Sequence, residues 1–299
     1  MHSSGQFTAR AVPRVLSIAG SDPSGGAGIQ ADIKSISATG GYALAVITAL
    51  TAQNTQGVTA VHSPPVDFLR QQLAAISADI DLDAVKIGML ADVATIRAVR
   101  GWLEHEKPPI VVLDPVMVAT SGDRLQDDDA VEELRALLPL AHVLTPNLPE
   151  LAALLGEPLA DGWGTALEQG IRLSQTHGVM VLVKGGHLNG ALCPDALVNA
   201  AEPEGAAVRQ WETPRVATRN THGTGCSLSS ALATIQARTG NWDESVGIAK
   251  QWLHGALEQA HLLDVGAGNG PVHHFHHLAA AATTDALRAR AGAARPPSG

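Results

Sequence analysis

Six short apolar runs, each closed by polar or glycine-rich residues, constrain this 299-residue chain more than any other feature. They are Val15–Ala19, Leu44–Leu50, Ala84–Ile87, Ile110–Leu113, His142–Leu144 and Val179–Val183. Between them lie segments with apolar residues on one helical face: Ile29, Ile33, Ile36; Leu69, Leu73, Ile76, Ile80; Val93, Ile96, Leu103; Val131, Leu134, Leu138. Apolar runs of this length bounded by turn residues read as buried strands, and the 3.6-residue spacing reads as helices packed on them. Alternating strands and helices predict an α/β protein with a mostly parallel sheet and right-handed crossovers. An antiparallel excursion is expected at Ala196–Asn199 and Val208–Trp211, then a strand-like run at Arg215–Arg219 and two long helices. No internal repeat is visible. Residues 1–12 read as a flexible extension, 13–277 as one domain, and 278–299, rich in Ala, Arg and Pro, as a disordered tail.

In such sheets ligands bind beyond the carboxyl ends of the strands. Gly20, Gln53, Met89, Asp114, Asn147 and Lys184 all fall at those ends. The remaining composition narrows the partners. There are 20 Lys and Arg against 29 Asp and Glu, a net charge of −9, and only 3% aromatic residues. That balance argues against nucleic acid and against an anionic membrane surface as partner. Two cysteines, Cys193 and Cys226, give no disulfide framework. Met1 to Arg14 has no signal-peptide core, and no apolar run reaches the ~20 residues of a membrane span. A cytoplasmic protein is the expectation.

The stretch Asn220-Thr221-His222-Gly223-Thr224-Gly225-Cys226 opens a helix with Leu228, Ala231, Leu232 and Ile235 on one face. Its glycines and free helix N–H groups suit a phosphate cradle, with Cys226 at the mouth, where a helix N-terminus lowers a thiol pKa. The same composition also suits an ordinary helix cap. Gly20-Ser21-Asp22-Pro23-Ser24-Gly25-Gly26-Ala27-Gly28 is a glycine-rich turn that matches neither the dinucleotide fingerprint nor the P-loop. Asp114, Glu150 and Lys184 fit phosphoryl transfer, two carboxylates for Mg²⁺ and one cation for a phosphoryl group. Singly, Asp114 is a turn residue and Glu150 a first-turn helix carboxylate; their convergence on one rim favours function. Gln53 and Met89 read most simply as a loop amide and a core side chain. His273-His274-Phe275-His276-His277 resembles a metal tract, but without an accompanying ligand cluster it reads better as surface or helix-capping histidines.

These stretches, together with Ile47–Thr55, Lys86–Leu90, Asp114–Met117, Thr145–Glu150, Lys184–His187 and Gly270–His276, resemble the bacterial hydroxymethylpyrimidine/phosphomethylpyrimidine kinases of the ribokinase superfamily, in order from about Val15 to His277. The resemblance implies a three-layer αβα sandwich and a cytoplasmic homodimer. It implies ATP- and Mg²⁺-dependent phosphorylation of 4-amino-5-hydroxymethyl-2-methylpyrimidine, and then of its monophosphate, for thiamine biosynthesis. By motif, Gly20, Asp32, Gln53, Met89, Val116 and Cys226 would line the pyrimidine pocket, and Gly223, Thr224, Gly225 and Cys226 the anion hole. Asn147, Lys184, Thr221, Gly223, Gly225 and Lys250 would lie on the ATP side, with Asp114 and Glu150 at the metal. Cys226 stands where sugar kinases of the superfamily carry an aspartate base, so the resemblance makes it the base. The rival expectations are a pyridoxal or pyridoxine kinase and a non-catalytic pyrimidine or nucleotide sensor.

Overall fold

The computed structural model describes residues 10–117, 128–203 and 205–278. The expected extension and tail therefore lie outside the described residues, apart from 10–12 and Leu278. Among the described residues nine strands form one sheet: β1 Arg14–Ser21, β2 Tyr42–Asn54, β3 Gly57–His62, β4 Ala84–Ile87, β5 Val111–Leu113, β6 Val143–Leu144, β7 Met180–Lys184, β8 Leu192–Val198 and β9 Val208–Pro214. Their order is β3-β2-β1-β4-β5-β6-β7-β8-β9. The six strands from β2 to β7 in that order run parallel, and β3, β8 and β9 pair antiparallel at the two edges. The chain moves outward from β1 to β2 and β3, then returns to place β4 on the other side of β1. A crevice opens at such a reversal, outside the strand ends.

Among the described residues eight α-helices accompany the sheet: α1 Gly28–Ala38, α2 Val66–Ser77, α3 Val93–Glu106, α4 Asp128–Leu137, α5 Leu148–Leu155, α6 Trp163–His177, α7 Thr224–Thr239 and α8 Trp242–Glu258. Successive strand residues point to opposite faces, and the core divides accordingly. Leu16, Ile18, Val85, Ile87, Val111 and Leu113 pack with apolar residues of α2 to α6. Val15, Ala84, Val112, Val143 and Leu182 pack on the other face with Ile36 of α1, Leu228, Leu232 and Ile235 of α7, and Val246 of α8. Two apolar layers on one sheet make the expected three-layer sandwich.

Three local expectations are corrected. The polar stretch after Leu50 continues β2 to Asn54 and turns into the exposed edge strand β3, because antiparallel backbone pairing with β3 outweighs its polar composition. Arg215–Arg219 is irregular, not a strand. Ile33 leaves the apolar face of α1, where Ile29, Ala31, Asp32, Ser35 and Ile36 are the buried positions. No helix among the described residues is long and apolar enough to cross a membrane.

Candidate active site

A cavity of about 1100 Å³ opens at the carboxyl ends of the parallel strands. Its lining includes Gly20, Gln53, Met89, Val116, Asp114, Asn147, Glu150, Lys184 and Lys250, together with the turn from Thr221 to Cys226. Every residue predicted for the site reaches this cavity except Asp32. The size suits a small molecule together with a nucleotide.

The turn before α7 is built on Gly223, which caps the helix at φ 76 and ψ 14. A Cβ there would stand 1.8 Å from the Gly26 carbonyl oxygen, so the position needs both the left-handed conformation and the missing side chain. The two glycine-rich stretches thereby touch across nearly 200 residues. Gly225 allows the turn to approach the charged side chains: a Cβ would stand 3.2 Å from Lys184 Nζ and 3.3 Å from Asp114 Oδ2. Thr224, Gly225 and Cys226 occupy the first turn of α7, where N–H groups lack helical partners and favour an anion.

Beside that turn one lysine serves two buried carboxylates. Lys184 Nζ lies 2.9 Å from Asp114 Oδ1 and 4.0 Å from Glu150 Oε2. Thr145 Oγ1 also donates to Asp114 Oδ1 at 2.9 Å. Burial works against ionising Asp114, but Lys184, Lys86 and the hydrogen bonds prevail and hold its carboxyl below the usual range. Glu150 fares differently. Burial, with repulsion from Asp114, outweighs Lys184 and raises it to about 7. Glu150 is also the reciprocal partner of the Asn147 cap on α5: Asn147 N–H donates to Oε2 at 2.8 Å, and Glu150 N–H donates to Asn147 Oδ1 at 2.9 Å. The site is therefore one positive charge short when both carboxylates are ionised. A divalent cation held by one or two carboxylates and completed by phosphate and water oxygens fits that deficit.

Cys226 contradicts one expectation. Burial, with Asp32 and Asp114, outweighs Lys86 and the N–H of Gly28, and pushes the thiol up to about 11. The helix N-terminus does not leave a populated thiolate at neutral pH. Asp32 is the second correction. Its carboxylate is wholly buried, with Lys86 Nζ at 2.8 and 2.9 Å, Ser17 Oγ at 2.6 Å and Ser230 Oγ at 2.8 Å. All of its acceptor capacity is turned inward, so it cannot line a substrate pocket. It acts from below instead. Ser230 sits one helical turn beyond Cys226 on the same face of α7, which places the Asp32–Lys86 pair under the thiol.

Lys250 lines the cavity through its stem, while its ammonium donates to Asp195 Oδ2 at 2.5 Å and to Cys193 O at 2.9 Å. Sequence reasoning passed over Asp22, Lys86, Asp195 and His222. Asp22 Oδ2 accepts from Ala27 N–H at 2.8 Å and lies 2.7 Å from His222 Nε2, and Oδ1 accepts from Ser24 N–H at 2.8 Å. Burial opposes the charge on Asp22, but His222, Ser24 and Ala27 bring its carboxyl down to about 2. His222 Nε2 also lies 3.5 Å from Gln53 Nε2, which joins the turn to the β2 side of the cavity. The signals were a charged residue inside the apolar run Ala84–Ile87 and a histidine directly before Gly223. Among the described residues no group of three or more histidine, cysteine, aspartate or glutamate side chains is placed to hold a metal ion.

Known proteins resemble this chain in sequence and in backbone. The family model described as phosphomethylpyrimidine kinase matches residues 22–273. The hydroxymethylpyrimidine/phosphomethylpyrimidine kinase of Salmonella typhimurium is 51% identical over 87% of this chain and 97% of its own. The thiamine biosynthesis multifunctional protein ThiED of Corynebacterium efficiens is 53% identical over 89% of this chain. This chain spans only 35% of that longer protein's length. The ADP complex of Bacillus subtilis pyridoxal kinase superposes with a TM-score of 0.80 at 30% identity, covering 88% of this chain and 97% of that one. The backbone is thus common to vitamin kinases of more than one specificity, while the higher identity lies with the pyrimidine enzymes: the chain belongs to the phosphomethylpyrimidine kinase family.

Proposed function

We propose that this protein uses ATP to phosphorylate the 5-hydroxymethyl group of 4-amino-5-hydroxymethyl-2-methylpyrimidine, and then the resulting monophosphate to the pyrophosphate, in thiamine biosynthesis. The observation that carries the reading is the meeting of two half-sites in one cavity. Gln53, Met89, Val116, Asp114, Asn147, Glu150 and Lys184 line the same cavity as the Thr221–Cys226 turn, which reaches Gln53 through His222 and comes close to Lys184 and Asp114 at Gly225. Gln53 offers an amide donor and acceptor to the ring edge, and the Met89 sulfur a polarizable contact for the ring face. The amides of Gly223, Thr224, Gly225 and Cys226 take the oxygens of the transferring group, with Lys184 beside them. Thr221 and Lys250 border the nucleotide. Asp114 and Glu150 would hold Mg²⁺, which neutralises charge on the phosphates when bound.

The hydroxyl oxygen of the substrate attacks the γ-phosphorus, and the bond from phosphorus to the β,γ-bridging oxygen breaks to release ADP. The hydroxyl proton passes to Cys226 Sγ in its thiolate form. With the thiol near 11, about three molecules in ten thousand carry that thiolate at pH 7.5. The sparse thiolate is the competent form, so turnover that depends on it climbs with pH. We place the enzyme in the cytoplasm as a homodimer.

A second reading, pyridoxal kinase, is favoured by the backbone likeness to the Bacillus subtilis enzyme. Incubation with ATP, Mg²⁺ and either the hydroxymethylpyrimidine or pyridoxal decides between them. The expected products are pyrimidine monophosphate followed by pyrophosphate, and strong preference for pyridoxal overturns the proposal. Pyrimidine binding without ATP consumption points to a sensor.

A further inference from the structure

The segment Gly270–His276 carries part of the family resemblance, yet phosphoryl transfer as described gives it no task. It runs along the anion-binding turn. His222 N–H donates to Gly270 O at 3.0 Å, His222 and Pro271 form a parallel bridge, and His273 N–H donates to Ala256 O of α8 at 2.9 Å. Val272 is fully buried and His274 is 4% exposed. His274 Nε2 lies 3.0 Å from Ser227 Oγ, on the first turns of α7. Ser227 Oγ in turn donates to the Gly223 carbonyl at 2.7 Å.

We propose that His274 is a positioning residue for the anion-binding turn, acting through Ser227 to fix the Gly223–Thr224 peptide. A hydroxyl has a single hydrogen, and the shorter of the two Ser227 contacts takes it. Ser227 Oγ must then accept from His274, which sets the imidazole as the Nε2–H tautomer. The relay runs from His274 N–H to Ser227 Oγ and from Ser227 O–H to Gly223 O. In a trans peptide the carbonyl and the following N–H point in opposite directions. Holding Gly223 O down on Ser227 therefore holds Thr224 N–H on the open side. There its bond to Thr221 O is long, 3.3 Å, and easily exchanged for a phosphate oxygen. Gly223 O also accepts from Ser227 N–H at 2.9 Å, so the hydroxyl adds a second, shorter bond to the carbonyl of a glycine that, at φ 76, has no side chain to restrain it. Burial, with Lys34 and His273, brings His274 down to about 3, so it stays neutral and keeps the same donor across the working range.

This inference rests on the proposed phosphoryl transfer and asks for variants of both relay members. Ser227→Ala, His274→Ala, His274→Gln and the double alanine variant are compared by steady-state kinetics, by thermal melting and by calorimetric affinity for a non-hydrolysable ATP analogue with Mg²⁺. Loss of a preorganised donor costs 10²–10³ in rate, so loosening one is expected to lower kcat about 10- to 100-fold. Each alanine variant should show that loss with the pyrimidine KM within about twofold of the unaltered protein. The double variant should be no slower than the slower single, because the two groups act in series. Glutamine restores an N–H donor at a similar reach, and His274→Gln should regain most of kcat. Wild-type kcat in either alanine variant, additive losses, or a glutamine variant as slow as alanine overturns the inference. If His274→Ala does not fold, Ser227→Ala with wild-type kcat is sufficient to overturn it. Should the unaltered protein fail to phosphorylate the pyrimidine, the proposed function falls. The analogue affinity then decides the relay: weakened in Ser227→Ala and regained in His274→Gln, or unchanged in all variants.

Discussion

Replacing Cys226 and following rate against pH tests the proton acceptor directly. The thiol stands near 11 because burial, Asp32 and Asp114 together exceed Lys86 and the Gly28 N–H. Ionising it at pH 7.5 costs about 5 kcal/mol, at 1.36 kcal/mol per unit. The acid form predominates below its pKa, so each unit of pH between 7.5 and 9.5 should raise the thiolate, and kcat/KM with it, about tenfold. ADP release at saturating MgATP, measured in a Cys193→Ser background, gives the kinetic profile. Iodoacetamide alkylation of the free enzyme reads thiolate content independently. Cys226→Ala should lose about 10²–10⁴ in kcat, the worth of general-base assistance. Cys226→Asp should replace the slope with a plateau, because a carboxylate is already ionised in this window. A flat profile in the parent, while alkylation still climbs tenfold per unit, refutes proton transfer to sulfur. Near-normal turnover in Cys226→Ala refutes it equally.

Other outcomes follow from the same geometry. Gly223→Ala drives a Cβ into the Gly26 carbonyl at a positive φ, and should abolish phosphoryl transfer, measured as ADP formation. Lys86→Met strands the buried carboxylate of Asp32 and should cost about 3–5 kcal/mol in urea unfolding, whereas Lys86→Met/Asp32→Asn should recover part of that loss. Glu150 is raised to about 7, so protons compete with the cation below that value. The thermal shift produced by Mg²⁺ with a nucleotide analogue should be larger at pH 8 than at pH 6, and Glu150→Gln should remove the difference.

Much of this was readable from residues alone, for a physical reason. Strands buried on both faces must be short and apolar, and their ends must be polar, so Gly20, Met89, Asp114 and Lys184 stood out before any contact was known. Asp32 shows what a motif can hide. It lies three residues after Ile29 and four before Ile36, on the helical stripe that α1 buries, and that period already placed it in the core. Lys86 inside an apolar strand announced a buried charge, but its partner lies 54 residues away and only the fold supplies it. The His222–Asp22 contact spans 200 residues and has no local signal. The edge strand β3 was missed because a one-sided, exposed strand need not carry an apolar pattern. For Cys226 the helix start was legible, whereas the burial that reverses its effect on the thiol was not.

The same charges explain how an acidic protein can hold a phosphate. Around the first turn of α7 lie two lysines, Lys86 and Lys184, and three carboxylates, Asp32, Asp114 and Glu150. Lys86 is matched by Asp32 and Lys184 by Asp114, which leaves Glu150 to set the balance. With its proton the group is neutral; without it the group carries one negative charge. Net attraction therefore cannot be what draws a polyphosphate into this cavity. Oriented amides of the Gly223–Cys226 turn supply partial positive charge without a counter-ion, and a cation at Glu150 supplies the remainder. On that argument, nucleotide affinity should depend more on Mg²⁺ and on the geometry of Gly223 than on the charge of Lys184.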